Sequence, residues 1–245
     1  MKKRFIALLC LVSTTALAGC TAARVAFPEG SDSSGFEQYD VKGRRAFALF
    51  SGTFSFGPYM VEWKRGAVFT RSSKHKTMLG EEDTLTSSEE YTVSVSGGGK
   101  TSWEGVCKSE AEFIRETKKS KNTKTVSTQV IRNTLACNLK SSDKRNIAFS
   151  LIQDEQGLSL YSKKSGDFKL DKSGFRIEST NQLQGSPLGS NTVSGYYIYE
   201  SGRIVAVIEV MNDGRVYLAK GLEKDKTTVL AAVSAVLLGY KDIME

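Results

Sequence analysis

From Phe36 to Lys220 the chain is written in short runs of β-branched and aromatic residues, interrupted every few positions by Gly, Ser, Asp or Asn. Apolar and polar positions alternate with period two and almost nowhere with the helical period, which predicts strands throughout. In the first half the predicted strands cover 46–56, 59–64, 67–71, 91–96, 101–107 and 125–139, while residues 110–118 read as a short helix or a loop. The second half is more regular. Asp154-Glu155-Gln156-Gly157, Lys164-Ser165-Gly166 and Lys172-Ser173-Gly174 are turn signals, with predicted strands at 147–153, 158–162, 168–170 and 175–178. That spacing predicts an antiparallel meander with tight hairpins. A Gly/Ser/Pro-rich loop at 185–195 precedes strands at 196–200, 203–211 and 215–220, joined by Ser201-Gly202 and Asn212-Asp213-Gly214. Residues 204–208 are apolar on both faces, so this strand is expected to be central and covered on both sides.

The one strong helix signal spans 227–240, with Asp225 or Thr227 as its cap and Gly239 as its stop. Every residue from Val229 to Leu238 except Ser234 is apolar. A helix without a polar face must be buried on most sides. These ten residues make roughly 15 Å, half a bilayer core, so a membrane span is the weaker reading. A β-sheet wrapped around an apolar C-terminal helix satisfies both facts. On architecture alone this resembles the tubby-like and scramblase-like barrels, a likeness that implies a closed antiparallel barrel filled by its terminal helix. The alternative is a β-sandwich with the helix capping one end. Either way the fold class is mainly β, an antiparallel meander barrel or sandwich with a buried apolar helix, in a single domain over 36–245.

The first twenty residues stand apart. Lys2, Lys3 and Arg4 precede the apolar run from Phe5 to Val12, and small residues follow up to Leu17-Ala18-Gly19-Cys20. This is the layout of a secretory signal, and its last four residues resemble a bacterial lipobox. The resemblance implies cleavage of residues 1–19 before Cys20, lipidation of the Cys20 thiol, palmitate included, and an outer-membrane anchor, because Thr21 stands where an inner-membrane retention signal places Asp. Stable anchoring needs more than one acyl chain, each methylene contributing roughly 0.8 kcal/mol. Residues 20–35, with Pro28, Gly30 and Gly35 and no apolar period, read as a flexible tether reaching about 20 Å.

Removing the signal takes three cations and no acid, so the formal charge falls from +7 to +4. That balance is too mild to argue for a nucleic-acid partner. Cys107 and Cys137 then remain for the folded body, and in an oxidising compartment they most simply form one disulfide, with two buried free thiols as the alternative. A bridge closing a 30-residue loop stabilises by about 3 to 4 kcal/mol. A zinc site is disfavoured by the chain's single His.

No catalytic set emerges. Gly97-Gly98-Gly99-Lys100-Thr101 has Ser94 where a phosphate-binding loop needs Gly, and a predicted strand follows it instead of a helix. His75 sits in a polar basic stretch without a nucleophile motif, and reads as a solvated loop residue. Glu81, Glu82, Asp83, Glu89 and Glu90 read as an exposed acidic loop, although a glycosidase would need two such carboxylates facing each other. The basic run Arg115, Lys118, Lys119, Lys121 and Lys124 could dock on anionic lipid or polymer. The expectation is therefore a non-enzymatic binding or envelope-structural lipoprotein without a cofactor, held on the membrane by its lipid, with an envelope lipid, glycan or protein as its partner. The alternatives are a small envelope hydrolase using carboxylates and a factor for lipid or lipopolysaccharide handling.

Overall fold

The computed structural model describes residues 23–28, 30–44, 51–77, 80–120, 123–153 and 163–240. Thirteen antiparallel strands are present: β1 (Phe36–Lys42), β2 (Ser51–Phe56), β3 (Tyr59–Arg65), β4 (Phe69–Thr77), β5 (Gly80–Gly97), β6 (Trp103–Ser120), β7 (Thr123–Ser141), β8 (Asn146–Gln153), β9 (Lys164–Leu170), β10 (Ser173–Thr180), β11 (Gly195–Glu200), β12 (Arg203–Glu209) and β13 (Arg215–Ala219). The helix α1 (Lys224–Gly239) follows. Each strand lies beside its sequence neighbour, except that β13 returns to β1 and β3 pairs with β5. The second pairing, from Tyr59 opposite Gly97 to Arg65 opposite Tyr91, closes the ring and leaves β4 outside it. The result is a closed barrel of twelve strands.

Strand alternation feeds the core directly. In β8, Ile147, Phe149 and Leu151 point inward and their neighbours outward, and β3 repeats the pattern with Tyr59, Val61 and Trp63. Eight strands enclose just enough room for side chains, whereas twelve leave a lumen wide enough for an element about 10 Å across. Helix α1 fills it. Residues Thr228 to Leu238 are all buried, and Ala231, Ala232 and Ala235 keep the helix slim where the walls approach. The helix starts three residues earlier than the sequence suggested and takes no side-chain cap. Asp225 lies in its first turn, where a carboxylate suits the helix dipole, and pairs with Arg145 at 3.2 Å.

The expectation for 204–208 holds, because Val205, Ala206, Val207 and Ile208 are all buried. Their outer cover comes from the segment read as a tether. Val25 bridges to Leu183, and Val25, Tyr197, Val207 and Tyr217 form a second apolar cluster joined by Phe27 and Phe36. Phe27 meets Phe36 and Tyr217 edge-on at 5.5 and 5.2 Å. The described part of 20–35 is thus a docked strap, because its Val25 and Phe27, together with Phe36 at the start of β1, cover a face the barrel cannot otherwise bury.

Three other readings change. Residues 110–118 belong to β6, since long strands on both sides supply pairing that overrides local preference. Lys164-Ser165-Gly166 starts β9 rather than forming a turn, and Gly166 is there for close approach: a Cβ would sit 1.9 Å from the Ser150 carbonyl oxygen. The acidic loop is strand β5, and His75 lies on β4 opposite Glu82. The expected strand at 158–162 and turn at 154–157 lie outside the described residues.

Loops alternate between two barrel ends. At the end where α1 starts, Lys224 lies against Gly99 of the β5–β6 turn. At the end where α1 stops lie the β3–β4, β10–β11 and β12–β13 connections. There β5, β6 and β7 run on past the barrel, since β3 pairs with β5 only from Tyr91 and β8 pairs with β7 only from Thr134. With β4 these extensions form a four-stranded arm about 30 Å long, from nine residues at roughly 3.3 Å each.

Candidate functional site

The residues singled out in the sequence are dispersed. Cys20 lies outside the described residues, as does Lys121. Cys107 and Cys137 face each other across β6 and β7 and are joined by a disulfide with Cα atoms 4.1 Å apart. This buried bridge pins the two strands just below the point where the arm leaves the barrel.

The basic run is split by the two-residue period of its strands. Arg115 lies opposite Asp83, which lies opposite Lys74, so a cation–anion–cation row crosses the arm. The acids Glu81 and Asp83 therefore face β4 cations across the ladder, an arrangement that supports an otherwise polar sheet. Lys118 is further out, paired in register with Thr125 and 3.2 Å from Glu116. Lys119 lies opposite Lys124 at the arm tip. The structure thus groups Lys118, Lys119 and Lys124 at the tip and leaves Arg115 in the neutralised shaft.

A polar ring closes the barrel where α1 ends. Arg65 donates to Glu89 at 2.9 Å and to the Gly239 carbonyl oxygen at 2.8 Å. Arg44 donates to the carbonyls of Leu238 and Val210, at 2.9 and 2.8 Å. Lys164 donates to the Tyr240 hydroxyl at 3.1 Å, and that hydroxyl donates to Asn133 at 3.2 Å. Arg65 and Arg44 satisfy the Gly239 and Leu238 carbonyls, and the three cations meet the negative dipole end of the helix. Burial pushes the Tyr91 phenol well up, against the pull of nearby Arg65. The ring is a seal between packed elements, and Glu89, expected in an exposed loop, is one of its buried members.

The outer wall carries two concave regions. A groove of about 730 Å³ crosses β3, β5, β6, β7 and β8. Its central row runs Glu62–Ser94–Glu104–Lys140–Asn146 across the ladder, with Gly105 and Val106 in its floor. Glu62 and Glu104 are two strands apart, roughly 10 Å. That separation exceeds the retaining spacing of a glycosidase and reaches the inverting one, but an acid catalyst needs burial to stay protonated. Both carboxylates are exposed. The groove presents exposed hydrogen-bonding side chains of both charges. The second region, about 490 Å³, is a shelf where Arg176 stacks on Tyr199 at 5.0 Å beside Gly174.

Among the described residues no group of three His, Cys, Asp or Glu side chains could hold a metal, and no helix is long and apolar enough to cross a membrane. No family model, no curated protein and no solved structure matches this chain. Sequence reading missed the sealing ring and the arm. The signal available for the ring was Arg44 and Arg65, cations at the ends of strands that reach the barrel end; nothing in linear spacing tied them to Gly239.

Proposed function

We propose that this chain is a lipid-anchored outer-membrane protein whose body is a non-enzymatic binding or envelope-structural module. The anchor rests on Leu17-Ala18-Gly19-Cys20 and on the charged and apolar segments before it. The observation that carries the functional half is the occupied lumen, in which every residue of α1 from Val229 to Val236 is fully buried. A barrel of this size would keep a substrate or lipid cavity inside, and here the chain itself takes that space. Recognition is left to the outer wall and the arm, where the groove offers exposed hydrogen-bonding side chains of both charges.

Membrane fractionation of Cys20→Ser tests the anchor: the variant should leave the membrane fraction, and unchanged fractionation refutes it. Turnover of ester, glycan or peptide substrates tests the second half. Activity abolished by a single substitution, such as Glu104→Gln, would overturn the non-enzymatic reading.

A further inference from the structure

The chain enters the fold at the barrel end where α1 stops. The side-chain amide of Asn212, in the β12–β13 turn, donates to the Ala23 carbonyl oxygen, and the Arg24 carbonyl accepts from the Gln184 amide at 2.8 Å. Cys20 is three residues before Ala23, and three residues span at most about 10 Å. Under the anchor reading above, on which this inference rests, that rim lies within about one headgroup layer of the lipid.

The same rim is the apolar one. Among the described residues, seven large hydrophobic side chains are left exposed; Met60 is at the other end and Val106 is in the wall groove. The remaining five are on the rim or arm: Val68 and Phe69 at the β3–β4 connection, Leu188 in the β10–β11 loop, Ile152 at the end of β8 and Val126 near the arm tip. Phe69 and Leu188 are 69% and 78% exposed. Scattered exposed apolar residues are ordinary, but concentration on the end that carries the chain entry is not.

The arm rises from this rim, on strands roughly half the ring away from the Ala23 contact in the strand order. With strands tilted about 40° to a barrel axis, a 30 Å arm reaches roughly 20 Å along it. That is more than the span from Ala23 to Cys20, so an anchored molecule whose rim faces the membrane brings the arm tip against the lipid surface. The tip has the matching charge. Lys118, Lys119 and Lys124 are placed there; Lys118 is 3.2 Å from Glu116, and no acid occurs from Thr117 to Ser142, so the outermost turn carries a net positive charge.

We infer that this rim and its arm form a second attachment to the membrane, with the exposed apolar side chains at the interface and Lys118, Lys119 and Lys124 on the phosphates of anionic phospholipid headgroups. Lysines near an anionic surface are attracted to its phosphates, so contact at the tip adds a second point of attachment to the lipid anchor and fixes the orientation. The groove on the barrel wall then faces sideways, clear of the lipid.

The test uses the intact lipidated protein reconstituted into vesicles of phosphatidylcholine alone or with one-third phosphatidylglycerol. Trypsin cleavage after Lys118, Lys119 and Lys124 is followed against cleavage after Lys172, in the β9–β10 turn at the opposite end. On anionic vesicles the tip sites should be cut at least about tenfold more slowly relative to Lys172, and 0.5 M NaCl, where the screening length is about 4 Å, should remove the difference. Equal relative rates on the two vesicle types overturn the proposal. So does protection that persists on neutral vesicles and grows with protein density, which assigns the arm to a second copy of the chain. Retention of the protein on vesicles in high salt reports the lipid anchor separately; its loss would sink the anchor and the geometry argued here together.

Discussion

Arg65 and Glu89 form a buried ion pair, 2.9 Å apart with side chains 12% and 6% exposed, at the point where α1 ends. Because the same guanidinium also bonds the Gly239 carbonyl, the pair ties strands β3 and β5 to the helix they enclose. Breaking a buried pair from one side leaves an uncompensated charge and costs about 3 to 5 kcal/mol. Arg65→Met should show that loss in urea unfolding. Adding Glu89→Gln to it should restore part of the stability, and a double variant no more stable than Arg65→Met would mean the pair is not what the arginine supports.

The helix interior gives a contrast between two neighbouring positions. Ala232 is fully enclosed by strand side chains, and enlarging a packed site typically costs about 1 to 3 kcal/mol. Ser234 is equally buried, but its hydroxyl donates to the Leu230 carbonyl at 2.7 Å within the same helix. Removing that local bond leaves the carbonyl with its helical partner. Ala232→Leu should therefore lower the melting temperature clearly, while Ser234→Ala should change stability by less than about 1 kcal/mol. Similar losses from both would place the packing constraint elsewhere.

Stability should also depend on pH through Glu209. Burial raises its carboxyl pKa, and the opposing pull of Arg215, 3.6 Å away, is divided with Asp40, which Arg215 also bonds at 2.7 Å. A carboxyl with a raised folded pKa favours the fold in its protonated state, so its contribution is present at low pH and is lost as pH rises through the folded value. Glu209→Gln should thus raise the melting temperature at neutral pH, and the gain should shrink as pH falls through the raised folded value and be gone below 4.5, the ordinary value for this group. Asp143 works in the other direction: hydrogen bonds from Arg145 and Ser141 hold it down to about 2, so whatever it contributes is lost on acidification between its ordinary 3.8 and that value. A Glu209→Gln gain that grows on acidification would contradict the sign argued here.

What could be read in advance divides by what each feature depends on. The strands β8 and β10 to β13 follow from alternation and turn residues, as in Ile147, Phe149 and Leu151 or the positive-φ Ser201-Gly202 turn, which are local properties, whereas β9 begins at residues that read as a turn. The terminal helix follows from an apolar run that no surface could tolerate. Most of the arm was not legible, because on the face that carries the buried Leu85 and Ala111 the apolar alternation is broken by Asp83, Ser87 and Arg115; only pairing across β4 to β7 makes these positions strand. The candidate sites were less legible still. Glu62 and Glu104 are 42 positions apart in the chain and become neighbours through β5, and Lys118 becomes separable from Arg115 only once strand register is known.

The strap at 23–28 offers the sharpest check on the N-terminal boundary, since a tether and a docked segment respond oppositely to mutation. Val25 is 3% exposed and packs beside Gly195, where any side chain would collide with it, while Phe27 lies edge-on against Tyr217. Tyr197 adds a hydrogen bond from its hydroxyl to the Ala26 carbonyl at 2.6 Å. If these contacts hold the strap, Val25→Asp buries a charge without a partner and should detach it, exposing the outer face of Val207 and Tyr217. Protease cleavage within 23–35 should then accelerate, and amide exchange along β12 should rise. The barrel should stay closed, because its inner face packs on α1 independently of the strap. Phe27→Ala should act in the same direction at a cost of about 3 kcal/mol or more. A free tether would leave cleavage rate and exchange unchanged in both variants.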